Sequence, residues 1–301
     1  MRILRFNDDR IGVLNEGSVV DVSEAVEYRV EKGPQRVIEE ILERFIDYRK
    51  EFELLAKRGK PVALNELKLL APIPRPSKCL AAFSNYLDRP DRKLDQMHLD
   101  FFYKAPELVG PEQIVELPDI PAVMVYQAEA ELAFVIGKRG KNINVDRALD
   151  HVFGYVPFFD ISARGLTRRT QFIPKGQDTH GPCGPWLATK DEIPDPHNLN
   201  VRSWINGEKR QDFNTRHMAH KIPELIAWVS KFVQLCPGDV IATGTHHEGL
   251  AAINDGDVLE IEVEGIGKTK FSVKGYGARK DMEFVPGKTP VPRPSGNVSA
   301  V

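Results

Sequence analysis

Two glutamates one residue apart, Glu129 and Glu131, stand inside the apolar run from Ala128 to Gly137. In a strand, side chains at i and i+2 share a face. Both carboxylates therefore point one way, while Ala130, Leu132, Phe134 and Ile136 point the other. Like charges held side by side repel, and cross-strand cations or a metal ion must offset that. Asp160 closes a second apolar run, Val156-Pro157-Phe158-Phe159, where a lone carboxylate is costly unless paired or coordinated. Singly, the glutamates read as the solvated edge of an amphipathic strand, and Asp160 as a turn residue or the partner of Arg164. As a set of three they suit a hard divalent cation, Mg²⁺ or Mn²⁺, with Ca²⁺ as a third choice. The three charges against a divalent ion leave about −1, which Arg164 or Lys175 can balance.

The elements that must position these groups follow from periodicity and breakers. Arg2–Phe6, Ile11–Leu14 and Val19–Val22 read as a strand-rich start with turn chemistry at Asn15-Glu16-Gly17. Ile38, Ile41, Phe45, Tyr48, Phe52 and Leu55 recur at steps of three and four and predict one amphipathic helix. Pro34 suits its first turn and Gly59 its end, and Glu40/Arg44 and Glu53/Lys57 are favourably ordered pairs. Three prolines between Ala71 and Ser77 mark a linker over residues 71–78. Strands are then predicted at Cys79–Phe83, Ala128–Ile136, Tyr155–Ile161, Val201–Ile205, Val240–Thr243, Val258–Glu264 and Thr269–Val273, with one helix near Ile222–Leu235. This pattern predicts an α+β, predominantly β fold. It comprises a small N-terminal domain (1–70), a larger domain (79–275) and a proline-rich arm or tail (276–301).

Composition bounds the function. The 301 residues are 42% apolar and 28% charged, ordinary globular usage, and the formal net charge is −2. That balance argues against a nucleic-acid or membrane-surface binder, which needs a basic excess. No apolar run reaches the ~20 residues that span a bilayer, and the start of the chain lacks a signal-peptide stretch. Cys79, Cys183 and Cys236 are odd in number and far apart, and predict reduced thiols in a cytoplasmic protein.

An ordered series of motifs resembles the fumarylacetoacetate hydrolase (FAH) family. It begins with Glu129-Ala130-Glu131-Leu132 and Val135-Ile136-Gly137-Lys138, then Gly154-Tyr155 and Asp160-Ile161-Ser162-Ala163-Arg164. It continues through Lys175, Asp178-Thr179, Gly184-Pro185-Trp186, Asn206-Gly207-Glu208 and Gln211, then Pro237-Gly238-Asp239-Val240-Ile241 and Thr243-Gly244-Thr245. Asp255-Gly256-Asp257-Val258 and the run to Gly267 close it, so the likeness spans roughly Lys78 to Val273. The resemblance implies a mixed β-sandwich roll, a divalent metal, usually Mg²⁺ or Mn²⁺, held by Glu129, Glu131 and Asp160, and a homodimer. It also implies that Lys175 and Thr245 steady the substrate carboxylate and that Arg164 lies close to the metal.

The departures concern the base. Many members carry Asn-Tyr-x-x-His on a lid, where the histidine activates water; here Asn85-Tyr86-Leu87-Asp88 leads into Arg89. His98, Asp91 and Asp95 are the candidate replacements, Tyr86 is a candidate substrate contact, and Thr167 stands where many members have glutamine. His246-His247-Glu248 follows the Thr-Gly-Thr turn. Adjacent histidines on an extended chain point apart, so a metal site there is disfavoured, while one of them, His246, is assigned to the pocket wall. His217-Met218-Ala219-His220 lacks a zincin context, and Gly137–Lys141 lacks phosphate-loop spacing and reads as a hairpin turn.

The expected function is metal-dependent hydrolysis of a C–C bond in a diketo acid, an acylpyruvate or fumarylacetoacetate-like compound. Lys175, Arg164 and His98 are the catalytic candidates, and Tyr86, Lys175, Thr245, Arg164 and His246 the substrate contacts. A 2-oxo-acid decarboxylase, isomerase or hydratase on the same scaffold is the alternative, because a metal-stabilised enolate serves all of these. A catalytically silent binding protein is the third reading.

Overall fold

A computed structural model describes residues 1–26, 33–89, 92–166 and 170–275. The proline-rich arm, Asp91 and Thr167 lie outside the described residues.

The chain opens as a meander of β1 (Arg2–Phe6), β2 (Arg10–Asn15) and β3 (Ser18–Asp21). Glu16 and Gly17 both take positive φ, which a tight two-residue hairpin requires. Two helices follow, α1 (Gly33–Glu43) and α2 (Phe45–Arg58), where periodicity predicts one. Arg44, at φ −115° and ψ 26°, breaks the run. The break lets Val37, Ile38, Ile41 and Leu42 and then Tyr48, Phe52 and Leu55 each lie on the sheet as separate stripes. It also brings Phe45 edge-on to Phe153 at 4.8 Å. Glu53 pairs with Arg49 at 2.9 Å rather than with Lys57. Gly59 ends α2 with ordinary negative φ; a Cβ there would lie 2.3 Å from Val20 Cγ1, so close packing requires the glycine. Short strands β4 (Pro61–Ala63) and β5 (Leu69–Leu70) complete this part.

Beyond the proline-rich stretch come β6 (Cys79–Ala82), β7 (Phe101–Tyr103), β8 (Ile114–Leu117), β9 (Val125–Ile136) and β10 (Val152–Arg164). A one-turn helix α3 (Phe172–Lys175), β11 (Leu187–Thr189), β12 (Asn200–Ile205), β13 (Glu208–Asn214) and α4 (Ile222–Val229) follow. The chain then runs through β14 (Val240–Ala242), β15 (Ala252–Ile253), β16 (Val258–Val263) and β17 (Gly267–Gly275). The larger sheet has the order β4-β3-β2-β1-β11-β10-β9-β14-β6-β7, with β5 beside β1 and β15 beside β9. The smaller has the order β13-β12-β16-β17-β8. Both are mixed, since β14 runs parallel to β6 and β17 to β8. The N-terminal strands do not form a sheet of their own: Arg2 pairs with Ala188 and Ile3 with Leu187, so they extend the central sheet through β11.

The two longest strands, β9 and β10, are buried along almost their whole length and face two cores. Leu132, Phe134, Phe159 and Ile161 join Leu259, Ile261 and Phe271 of the smaller sheet. Ala133, Val135, Val156 and Phe158 join Ile38, Ile41 and Phe52 of the helices, together with Ala81 and Phe102. By strict alternation, Glu129, Glu131 and Asp160 belong to this second face, beyond the part the helices cover. Gly154 is where the β11 backbone comes closest to β10: an added Cβ would meet the Ala188 carbonyl oxygen at 2.1 Å. Gly154→Ala is expected to cost about 2–3 kcal/mol of stability, measured by chemical denaturation; an unchanged midpoint would refute this packing.

Candidate metal centre

The antiparallel register of β9 and β10 sets Glu129 opposite Asp160 and Glu131 opposite Phe158. A cross-strand pair and an i+2 neighbour thereby bring all three carboxylates to one patch. One oxygen from each lies within 4.8 Å of the others, and the three residues are 5%, 1% and 1% exposed. The neighbouring edge of β9 is opened to receive them. β14 pairs with β9 at Ala133–Val135 and β15 pairs with it at Tyr126–Gln127, leaving the stretch between without a strand. The loop after β14 takes over: Thr243 N and Oγ1 donate to Leu132 O, and Thr245 Oγ1 donates to Ala130 O at 2.7 Å. Gln211 closes the frame, accepting from Ala130 N at 2.9 Å and donating to Thr245 Oγ1 and His246 O. Gly244, at φ +89°, sits in the left-handed region that favours glycine and directs its N–H to Glu131 Oε2 at 2.7 Å.

Three cations meet the carboxylates. Lys175, at the end of α3, places Nζ 3.0 Å from Glu129 Oε2 and bonds Asp160 Oδ2 as well. Lys104, just past β7, places Nζ 2.6 Å from Asp160 Oδ1 and donates to Ile161 O. Arg164 donates to Gln127 Oε1 at 2.7 Å and grips Glu129 Oε1 through its second nitrogen, while Ser162 Oγ donates to the same oxygen at 3.0 Å. The cross-strand cations that the repulsion requires are therefore present: three carboxylates face two lysines and an arginine. Burial pushes the Glu129 carboxyl up, but the charges of Lys175 and Arg164 hold it well below the usual range. Glu131 is raised well above that range, by burial and then by the charges of Asp160 and Glu129. The Lys104 ammonium is lowered, chiefly by burial and also by Lys175, although Asp160 opposes this. Convergent carboxylate oxygens and no thiolate or imidazole within the cluster make a donor set that fits a hard divalent cation.

The other predicted site residues are distributed differently. The Thr245 hydroxyl is committed to Ala130 O and Gln211. Tyr86 is fully buried, edge-on to Phe213 at 5.2 Å. His246 stacks on the other side of that network, 5.8 Å from Phe213, and burial lowers its imidazole. His98 is exposed and makes no hydrogen bond with the cluster. Sequence reasoning missed Lys104, because a single lysine is ordinarily exposed. Its signal was the aromatic run Phe101-Phe102-Tyr103 leading directly into it. Gln127, Ser162 and the framing role of Gln211 were also missed, each being a polar residue on a strand with no informative spacing.

Fold and site together define a mixed-β enzyme scaffold with a buried carboxylate centre for a divalent cation. Residues 78–274 match the family model described as fumarylacetoacetate (FAA) hydrolase C-terminal, and the chain belongs to this family. It is 32% identical over 290 residues to a maleylpyruvate hydrolase of Aquipseudomonas alcaligenes, covering 91% of this chain and 99% of that one. It is 39% identical over 216 residues to a mitochondrial oxaloacetate tautomerase of Xenopus laevis, 67% of each chain. The crystal structure of maleylpyruvate hydrolase from Sphingobium sp. SYK-6 in complex with manganese(II) and pyruvate is similar at TM-score 0.81 and 32% identity. That match covers 91% of this chain and 99% of that one.

Two outcomes are expected. Glu131 keeps its proton to higher pH than an ordinary carboxyl, so a cation must displace it; Mn²⁺ affinity should rise with pH and binding should release protons. Calorimetry in buffers of different ionisation enthalpy reads this directly, and zero proton release would contradict the shift. Removing one ion-pair partner by Lys104→Met should destabilise the ion-free protein by about 3 kcal/mol. Mn²⁺ should restore more of the melting temperature in the variant than it adds to the wild type.

Proposed function

We propose that the chain is a divalent-cation-dependent hydrolase that cleaves the C–C bond of an acylpyruvate, a diketo acid of the maleylpyruvate or fumarylacetoacetate kind. The observation that carries this reading is the buried three-carboxylate patch with Lys175 between two of its members. The near full-length likeness to maleylpyruvate hydrolases supports it. Glu129, Glu131 and Asp160 hold the cation, with Mn²⁺ and then Mg²⁺ the first to test. When bound, the cation supplies an electron sink for the 2-oxo acid, stabilising charge that develops as the bond breaks. Arg164 and Ser162 fix the rotamer of Glu129, and Lys104 fixes that of Asp160, so the ligands are set before the ion arrives. Lys175 is the ammonium offered to the substrate carboxylate. Thr245, assigned to the same carboxylate, serves this reading by locking the loop to β9.

A second reading, enol–keto tautomerisation of a 2-oxo acid, is favoured by the tautomerase likeness and by Arg89 at the usual lid-histidine position. A homodimer and a reducing, cytoplasmic compartment belong to the proposal; free Cys79, Cys183 and Cys236 support the latter. Among the described residues no helix is long and apolar enough to cross a membrane.

The test is purified protein with Mn²⁺ and a panel of acylpyruvates, following pyruvate release, beside the decay of enol-oxaloacetate. Stoichiometric pyruvate is expected, with Glu131→Gln lowering turnover by about 100-fold or more. Enol decay without pyruvate would favour the tautomerase, and no turnover of either kind would leave the silent binding protein.

A further inference from the structure

We infer that His247, oriented by Asp88, is the group that takes the proton from the attacking water, a role that rests on the hydrolase reading above. Asp88 follows Tyr86 on the segment after β6, and His247 lies in the loop between β14 and β15; the two are 159 residues apart in sequence. His247 Nδ1 bonds Asp88 Oδ2, and the His247 backbone N–H donates to the same oxygen at 3.2 Å. Arg92 Nη1 lies 3.0 Å from the other carboxylate oxygen. The Asp88 side chain is 1% exposed and that of His247 35%, so a buried carboxylate backs a partly exposed imidazole. Among the described residues Nε2 of His247 has no hydrogen-bond partner.

Both halves of the pair are tied to the carboxylate patch. The His247 loop is pinned by Gly244 N to Glu131 and by Thr245 to Ala130. The Asp88 segment is pinned to that loop by Asn85 Nδ2, which donates to Thr243 O and His220 O, each at 3.0 Å. His247 stands three residues past Gly244, whose N–H lies 2.7 Å from Glu131 Oε2. Burial works to raise the Asp88 carboxyl, but the hydrogen bonds from His247 and the charge of Arg92 hold it below the usual carboxylate range. Asp88 is therefore an anion at neutral pH and selects the tautomer with hydrogen on Nδ1, leaving Nε2 as acceptor. His246, its neighbour, stacks on Phe213.

The step balances with water as the only co-reactant. A water proton passes to Nε2 of His247 while the water oxygen bonds to the acyl carbonyl carbon. The C–C bond to the pyruvyl unit then breaks, its electron pair passes into that unit as an enolate, and the imidazolium returns the proton to the enolate carbon. The products are a carboxylic acid and pyruvate. A histidine–carboxylate pair is thus present although the lid position holds arginine: the histidine comes from the other loop and the acid from the Asn-Tyr segment.

The test compares Mn²⁺-loaded wild type, His247→Gln, Asp88→Asn and Asp88→Glu. Both His247→Gln and Asp88→Asn should lower kcat for acylpyruvate cleavage by about 100-fold or more, with KM and Mn²⁺ affinity within about threefold of wild type, and Asp88→Glu should recover part of the loss. Nitrogen-15 spectra of the wild-type histidines should show the neutral form of His247 carrying its proton on Nδ1, a readout independent of any variant's folding. Variants within about threefold of wild-type kcat, or a proton resident on Nε2, would overturn the assignment while the hydrolase reading stands. Wild type that releases no pyruvate from any acylpyruvate would instead overturn that reading, and this role with it.

Discussion

Three carboxylates buried within 4.8 Å of one another are the constraint around which this fold is arranged. At that separation, and at an effective dielectric of about 20, each like-charged pair repels by roughly 3 kcal/mol. A typical net hydrogen bond contributes only about 1 kcal/mol, so bonds from Ser162 and the Gly244 N–H could not hold the patch together unaided. Cations must be delivered to it, and they come from three places: Lys104 past the edge strand β7, Lys175 at the end of α3, and Arg164 at the end of β10 itself. Burial, and then the same repulsion, keeps Glu131 protonated to higher pH. In the ion-free protein the three carboxylates are thus met by three cationic side chains.

Rigidity around the patch has a separate origin. β9 and β10 are packed on both faces, against the smaller sheet on one side and the N-terminal helices on the other. A strand held from both sides cannot shift its register by one residue without turning every carboxylate into an apolar core. The helices cover only part of the second face, and beside the patch the sheet parts between β14 and β15. The segment carrying Asp88 and the loop carrying His247 meet nearby. In this family's relatives, hydrolases and tautomerases share the framework, which is what a rigid metal-holding sheet with variable rims permits.

Much of the chemistry was visible in one dimension. The i, i+2 spacing of Glu129 and Glu131 places them on one face in any strand, and the apolar runs around them and around Asp160 specify buried strands. Local periodicity encodes such facts because they depend only on neighbours. Less was visible where a break or a tight approach decided the outcome: Arg44 divides a continuous apolar stripe into two helices, because the sheet surface beneath does not accept one straight rod. The short strands β7, β11 and β15 carry too few residues for any period to register.

What the sequence determined by itself is the donor set, the strands that bear it and the face they share, together with the ordered motifs that identify the family. What only the tertiary structure decided is the register that sets Asp160 opposite Glu129, the arrival of Lys104 from 56 residues away at Asp160, and the meeting of Asp88 with His247. These pairings join groups far apart in the chain. Their energy is realised only once both cores have formed and excluded water, and no local pattern of residues records it.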